Sequence, residues 1–250
     1  MIKNWDERRD IVILENKEKA ISFSADQFLS IAKNAIQEND KFTVALSGGS
    51  TPKAIYEEVY AKGKNLDWSK VWLFWSDERA VPPTDPDSNY RMAMDSCFGK
   101  LPIPKKQIFR MEAEGDIRKK AKEYEKIIET HVGPDLFDLV MLGMGEDGHT
   151  ASLFPETEAL TIQGEAVAPN FVPKKNSFRM TLTFDCINNS SHISFYVFGA
   201  AKKEMVKRIL LPPPKAPILP SELVGTTQQK ALWILDQAAA EDLMIAIKHK

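Results

Sequence analysis

The sequence is short of cysteine and has no long apolar run, and each shortage excludes a class of protein. Only two cysteines, Cys97 and Cys186, occur in 250 residues, far apart and without the spacing of metal ligands. We therefore expect no disulfide scaffold and a reducing compartment. No apolar run approaches the ~20 residues of a transmembrane helix, and residues 1–10 lack an apolar signal core. These features predict a cytoplasmic protein.

Neither sign of charge is in excess, since the formal net charge is −2 at pH 7. This balance predicts no nucleic-acid partner and no membrane partner, although a local cluster of charge could still bind a small anion. A hydrophobic content of 43% suits a single domain, which we expect to span residues 1–250. We expect a monomer or a small homo-oligomer.

Common signatures of cofactor and metal sites are absent as well. The glycines at 48 and 49 are followed neither by the Gly-Lys-Ser/Thr of a P-loop nor by the remainder of a dinucleotide-binding Gly-x-Gly-x-x-Gly. The segment 143–150 lacks the Gly-x-Ser-x-Gly elbow of serine hydrolases. A catalytic metal usually has at least three protein ligands, and the histidines outside that segment lie in unrelated contexts: His131, His192 and His249. We expect no metal site.

Strand-like and helix-like segments alternate along the chain. Apolar or alternating runs predict strands at 42–46, 71–75, 137–142, 179–184, 193–198 and 231–235. Amphipathic segments predict helices at 25–37, 52–60, 88–98, 117–130, 202–211 and 237–247. The order predicts an α/β fold, a three-layer, Rossmann-like, mainly parallel sheet with helices on both faces. We expect Thr51, Ser88 and Asp236 to be N-caps of the helices that follow them.

Three predicted strands end in polar loops, at 47–51, 76–79 and 143–150. In open α/β sheets, ligands bind beyond the carboxyl ends of the strands, so we expect one pocket formed by all three loops. The first loop contributes Ser47, Gly48, Gly49, Ser50 and Thr51. Its glycines allow close backbone approach, and the following helix N-terminus favours an anion such as phosphate. The alternative is an ordinary turn from strand to helix.

The other two loops contain groups that can titrate or carry charge. Asp147 and His149 lie between glycines after a buried strand, so they can be an acid/base pair or ordinary loop residues. Asp77 and Arg79 follow a strand rich in aromatic residues, where an arginine can bind phosphate with two hydrogen bonds. A surface salt bridge is the alternative there. Lys202 begins a helix and can face an anion or solvent.

Together these segments resemble the 6-phosphogluconolactonases, within a superfamily shared with glucosamine-6-phosphate deaminase/isomerase. The similarity extends over nearly the whole chain, and the matching segments occur in the family's order: residues 44–52, 76–79, 87–91, 143–155 and 199–202. It implies hydrolysis of 6-phospho-D-glucono-1,5-lactone to 6-phosphogluconate, without a metal or organic cofactor. The family's base corresponds to His149, and its phosphate clamp to the 47–51 loop, Arg79 and Lys202.

The mechanism implied is attack by water on the lactone carbonyl, with neutral His149 as the base. Either Asp147 or Asp77 is expected to orient the imidazole or the sugar hydroxyls. Backbone N–H groups in the 145–149 loop are expected to stabilise the oxyanion.

Deaminases of the superfamily provide the nearest alternative. They carry a glutamate partner for the histidine where this chain has Phe154, and they favour tyrosine where it has Arg79. Both differences favour the lactonase. A non-catalytic sugar-phosphate sensor is a further alternative, because fold does not determine function.

Overall fold

The computed structural model describes residues 1–133, 137–213 and 216–248. In these ranges the strands are β1 (Lys3–Asn4), β2 (Arg9–Leu14), β3 (Phe42–Leu46), β4 (Val71–Trp75), β5 (Asp77–Arg79), β6 (Leu139–Leu142), β7 (Val167–Val172), β8 (Ser177–Leu182), β9 (Ile193–Val197) and β10 (Ala231–Asp236). The α-helices are α1 (Lys17–Asn39), α2 (Ser50–Lys62), α3 (Asn89–Ser96), α4 (Ile117–His131), α5 (Phe184–Asn188), α6 (Lys203–Leu210) and α7 (Glu241–Lys248).

The larger of the two sheets has the strand order β1-β2-β10-β9-β6-β3-β4, and every neighbouring pair except β1–β2 is parallel. The predicted fold class, an α/β three-layer fold with a mainly parallel sheet, is confirmed. Its central strands are buried along their whole length, as in β3, β6 and β9. Strands covered on both faces read as continuous apolar runs, which explains why the sequence pattern located them.

The direction in which the chain adds strands reverses next to β3. From β3 the chain moves outward to the edge strand β4, whereas β6, β9 and β10 are added in succession on the other side of β3. Since parallel crossovers are almost always right-handed, this reversal puts the helices that precede and follow it on opposite faces. The loops that leave β3 and β6 therefore diverge, which opens a crevice at the carboxyl edge.

A small antiparallel sheet, ordered β5-β8-β7, stands beside this crevice. It is joined to the main sheet through Ser76, whose N–H donates to Leu46 O at 2.7 Å and whose carbonyl accepts from Leu182 N at 2.8 Å. Residues 76–79, predicted as a loop, thus contain a short strand, because their backbone groups pair with β8 instead of water. β7 lies in a segment for which the sequence predicted no element.

Two predicted caps differ from the structure. Thr51 lies inside α2, and its N-cap is Gly49, which has a positive φ of 105° and no side-chain cap. Asp236 ends β10, and although its carboxylate accepts from Ala239 N at 2.8 Å, α7 begins only at Glu241. Ser88 is the N-cap of α3, as predicted.

No helix among the described residues is long and apolar enough to cross a membrane. His249 lies outside the described residues.

Candidate active site

Residues from all three strand-end loops line one cleft of about 610 Å³ at the carboxyl edge of the main sheet. Ser47 and Gly48 come from the loop after β3, and Asp77 and Arg79 from β5. The loop after β6 contributes glycines together with His149. The cleft therefore lies where the strand order reverses, the position at which open α/β sheets bind ligands.

Asp147 and His149 form a close pair in which His149 lines the cleft and Asp147 lies outside the lining. The Nδ1 atom of His149 lies 2.5 Å from Oδ1 of Asp147, and both side chains are about one quarter exposed, at 27% and 28%. Burial alone would raise the pKa of Asp147, but its hydrogen bond to His149 and the charge of that ring lower the pKa overall. A carboxylate bound to Nδ1 leaves Nε2 as the proton acceptor.

The imidazole of His149 is held on more than one side. It stacks on the Phe154 ring, with centroids 3.9 Å apart and an interplanar angle of 19°. A Cβ atom on Gly145 would lie only 2.1 Å from Cε1 and Nδ1 of His149, so the absence of a side chain at Gly145 makes room for the ring.

Asp77 has other partners in the same cleft. Its carboxylate accepts from Ser152 Oγ at 2.7 Å and from Asn89 Nδ2 at 3.3 Å, and its side chain is almost fully buried. Of the two carboxylates proposed from the sequence, Asp147 is therefore the one paired with the imidazole. Asn89 and Ser152 also line the cleft; they lie in the matching segments 87–91 and 143–155, but the sequence assigned neither of them a role in the site.

The loop after β3 is held in place by hydrogen bonds to the buried Tyr56 hydroxyl. The Tyr56 hydroxyl accepts from the backbone N–H of Ser47 at 3.0 Å and donates to its carbonyl at 2.8 Å. Gly48 packs against Asn89, and a Cβ there would lie 1.8 Å from Asn89 Oδ1. Ser50 and Thr51 form the first turn of α2 and, like Gly49, are not among the residues that line the cleft.

Arg79 lies opposite a second arginine that the sequence analysis did not single out, Arg179 on β8. Both line the cleft, and the Nε atom of each is buried without a hydrogen-bond partner in the described part of the chain. Arg79 also donates to the backbone carbonyl of Asp87. The alternation of polar and apolar residues along β8 was the available signal for Arg179, since it puts every second side chain on the cleft face.

The N-terminus of α3 is fastened to β5 by Glu78. Its buried carboxylate accepts from the backbone N–H groups of Asn89 and Tyr90, each at 2.8 Å, and from Ser88 Oγ at 3.0 Å. These bonds hold Asn89 against the glycine loop.

Two predictions about the cleft need adjustment. Lys202 is not among the lining residues, and its Nζ donates to the carbonyl of Met144 at 2.9 Å, so in this conformation it supports the loop after β6. Several backbone N–H groups expected to face an oxyanion are already used: Gly145 donates to His149 O, Gly148 to Gly145 O, and His149 to Asp147 Oδ1.

No cluster of three or more His, Cys, Asp or Glu side chains suited to a metal ion occurs within residues 1–133, 137–213 and 216–248.

An imidazole backed by a carboxylate, with two arginines in the same cleft, is suited to an enzyme that acts on a small anionic molecule. A family model described as glucosamine-6-phosphate isomerases/6-phosphogluconolactonase matches residues 15–233. The chain belongs to this family, as its sequence motifs predicted.

Several proteins and solved structures named 6-phosphogluconolactonase are similar over nearly the whole chain. The 6-phosphogluconolactonase of Chlamydia pneumoniae is 39% identical, over 93% of this chain and 90% of that protein. That of Nostoc sp. is 36% identical, over 95% of this chain and 100% of that protein. The crystal structure of 6-phosphogluconolactonase from Thermotoga maritima superposes with a TM-score of 0.78 at 29% identity, covering 90% of this chain and 98% of that one.

Proposed function

We propose that this protein is a 6-phosphogluconolactonase, which hydrolyses 6-phospho-D-glucono-1,5-lactone to 6-phospho-D-gluconate in the oxidative pentose phosphate pathway. The observation that carries the proposal is the cleft in which His149, hydrogen-bonded to Asp147 behind it, shares one space with Arg79 and Arg179. The pair supplies a base for water, and the arginines supply charge for a phosphorylated substrate. The similarity to 6-phosphogluconolactonases at 36–39% identity supports the same substrate.

In the proposed reaction His149 acts as general base. Its Nε2 takes a proton from a water molecule as the water oxygen bonds to C1 of the lactone, which moves the carbonyl electrons onto oxygen. When the carbonyl re-forms, the bond between C1 and the ring oxygen breaks, and the imidazolium returns the proton to that oxygen. Asp147 holds the tautomer that leaves Nε2 free and stabilises the transient positive charge.

Substrate binding is proposed to position C1 for this step. Arg79, with Ser47 and Gly48, would hold the phosphate end, and Asp77 would accept a hydrogen bond from a sugar hydroxyl. Gly49, Ser50 and Thr51 would contribute the electrostatic field of the α2 N-terminus. Lys202 would act through the loop that carries His149.

We propose further that no metal takes part, since the pair can activate water directly and a lactone carbonyl is already electrophilic. Chelation with EDTA should then leave the rate unchanged.

The stacking of Phe154 on His149 favours the lactonase over the deaminase alternative. The resemblance implies that deaminases use a glutamate partner at this position, and an apolar ring cannot supply that proton relay.

The test generates the lactone in situ with glucose-6-phosphate dehydrogenase and detects the product with 6-phosphogluconate dehydrogenase. The wild type should hydrolyse the lactone faster than the spontaneous reaction. His149→Asn should lower kcat by about 100-fold or more, and Asp147→Asn should lower it by about 10-fold. His192→Asn is the matched control, because His192 is exposed and bonds Asp138 O at the opposite end of the strands. A wild type that does not accelerate hydrolysis would overturn the proposal. Release of ammonia from glucosamine 6-phosphate would then identify the protein as a deaminase.

A further inference from the structure

The ring that stacks on His149 belongs to a backbone turn with a strained residue at each end. Phe154 lies in the turn 151–156, and its ring centroid is 3.9 Å from that of the imidazole. Ala151 and Glu156 have positive φ angles of 48° and 62°. Residues with a side chain adopt this left-handed conformation at a cost, and it persists where the surrounding structure imposes it. Contacts from outside the turn must therefore hold it in this shape.

The carboxamide of Asn170, on β7, supplies such contacts. It lies directly opposite Arg179 in the β7–β8 register, so it projects from the face of the small sheet that borders the cleft. Its Nδ2 donates to the backbone carbonyl of Ser152 at 2.8 Å and to Oγ1 of Thr157 at 2.9 Å. The Thr157 hydroxyl in turn donates to the carbonyl of Phe154 at 2.8 Å. One side chain, only 1% exposed, thus fixes two carbonyls of the turn, the first directly and the second through Thr157.

These partners require a donor at position 170. A backbone carbonyl can only accept, and the Thr157 hydroxyl has already given its proton to Phe154, so both partners of the amide are acceptors. An asparagine NH2 group offers two protons, whereas an ionised aspartate of the same shape offers none. The Oδ1 atom of Asn170 is buried without a partner in the described part of the chain. The amide is therefore oriented by its two donated bonds.

We propose that Asn170 is a positioning residue for the reaction, which keeps the Phe154 ring stacked on His149 and thereby keeps the imidazole at its contact with Asp147. The inference rests on the proposed function for the role of His149 as the base. Since the two rings are nearly parallel, at 19°, the imidazole cannot turn out of this plane without striking Phe154. Asn170 does not line the cleft, so it acts through the turn and not on the substrate.

The experiment combines steady-state kinetics in the coupled lactonase assay with proton NMR of the imidazole signals. The variants are Asn170→Ala and Thr157→Val, of which the second keeps the bond to Ser152. The matched control is Gln107→Ala. The Gln107 amide is also buried, at 4% exposed, and donates to two backbone carbonyls near the start of β4, at the opposite end of the strand from the cleft.

Asn170→Ala should lower kcat by about tenfold or more and keep KM within about twofold, because a displaced base slows the reaction without weakening binding. Thr157→Val should lower kcat in the same direction. The four histidines give four Cε1–H signals, and the one missing in His149→Asn belongs to His149. The ring current of the stacked Phe154 shifts this signal upfield, so it should move downfield in Asn170→Ala and stay in place in Gln107→Ala.

A double variant tests whether Asn170 acts through the ring. In a Phe154→Leu background, adding Asn170→Ala should change kcat by no more than about twofold, since the two substitutions remove one interaction. Losses that multiply would overturn the inference and make Asn170 merely structural. An unchanged His149 signal in Asn170→Ala would also overturn it, as would a raised KM with unchanged kcat.

Thr157→Val provides the same kinetic and NMR test if Asn170→Ala does not fold, and unchanged kcat with an unchanged His149 signal in it would then refute the inference. The NMR signal is measured without turnover. An Asn170-dependent His149 signal in a protein that fails to hydrolyse the lactone would therefore refute only the proposed function.

Discussion

Replacing Gly145 with alanine tests whether the position of the His149 ring controls the reaction rate. Gly145 does not have a positive φ, so its backbone accepts alanine. The new Cβ, however, would lie 2.1 Å from the ring, and ordinary van der Waals contact begins at 3.4 Å. The ring must therefore move by about 1.3 Å, the difference between these two distances. This movement disrupts the 2.5 Å contact with Asp147. Since a misplacement of about 1 Å can cost ~100-fold, we expect kcat to fall by about that factor.

Gly143→Ala is the matched control for this substitution. Gly143 lies in the same loop, lines the same cleft and has no atom within 4 Å of its ideal Cβ position. It should keep kcat within about threefold of the wild type, since its new Cβ would displace neither the His149 ring nor any other atom of the described residues. Both variants would be compared in the coupled lactonase assay and by urea unfolding. Equal kcat values for the two alanine variants, with both folded, would refute the argument that ring position matters.

Two further predictions concern residues behind the cleft. Tyr56→Phe leaves the buried N–H and C=O of Ser47 without their partner, so urea unfolding should show a loss of about 2–4 kcal/mol; a loss below about 1 kcal/mol would contradict this account of the loop. For Glu78, burial raises the pKa above its ordinary value of 4.5, although bonds from the Tyr90 and Asn89 amides oppose the rise. A raised pKa means that the folded state holds the proton more tightly, so this stability is present below the ordinary pKa and is lost as pH rises through the folded value. The unfolding free energy of the wild type minus that of Glu78→Gln should therefore decrease as pH rises from about 4; an increase over that range would show that the hydrogen bonds from the Tyr90 and Asn89 amides outweigh burial and favour the carboxylate.

Five strands of the main sheet, from β3 onward, could be predicted because their signal is local, whereas β1 and β2 were not predicted. β3 and β4 match the predicted strands residue for residue, and β9 and β10 differ by one residue at an end. Each is a short apolar run between polar loops, since both of its faces are covered. The His149 motif was equally visible, because three glycines, an acid and an imidazole follow such a run directly.

The small sheet could not be predicted in the same way. β5 is only three residues long, and its charged sequence, Asp77-Glu78-Arg79, is typical of a loop. It becomes a strand because β8, about 100 residues later in the chain, satisfies its backbone groups. The same long-range pairing brings Arg179 beside Arg79, so no local pattern could join the two arginines.

The choice between Asp147 and Asp77 shows the same difference between contacts that are local in sequence and contacts that depend on the fold. Asp147 is two residues from His149, and a glycine turn with Gly148 at a φ of 77° folds the carboxylate back onto the ring. Asp77 reaches the cleft from another sheet, and its orientation depends on Ser152 and Asn89, which are distant in sequence. Sequence spacing can thus identify a pair of side chains that a single turn brings into contact. A residue whose neighbours come from three different elements needs the fold before its role can be inferred, and in this protein Asp77, Asn89 and Ser152 line the same cleft as His149.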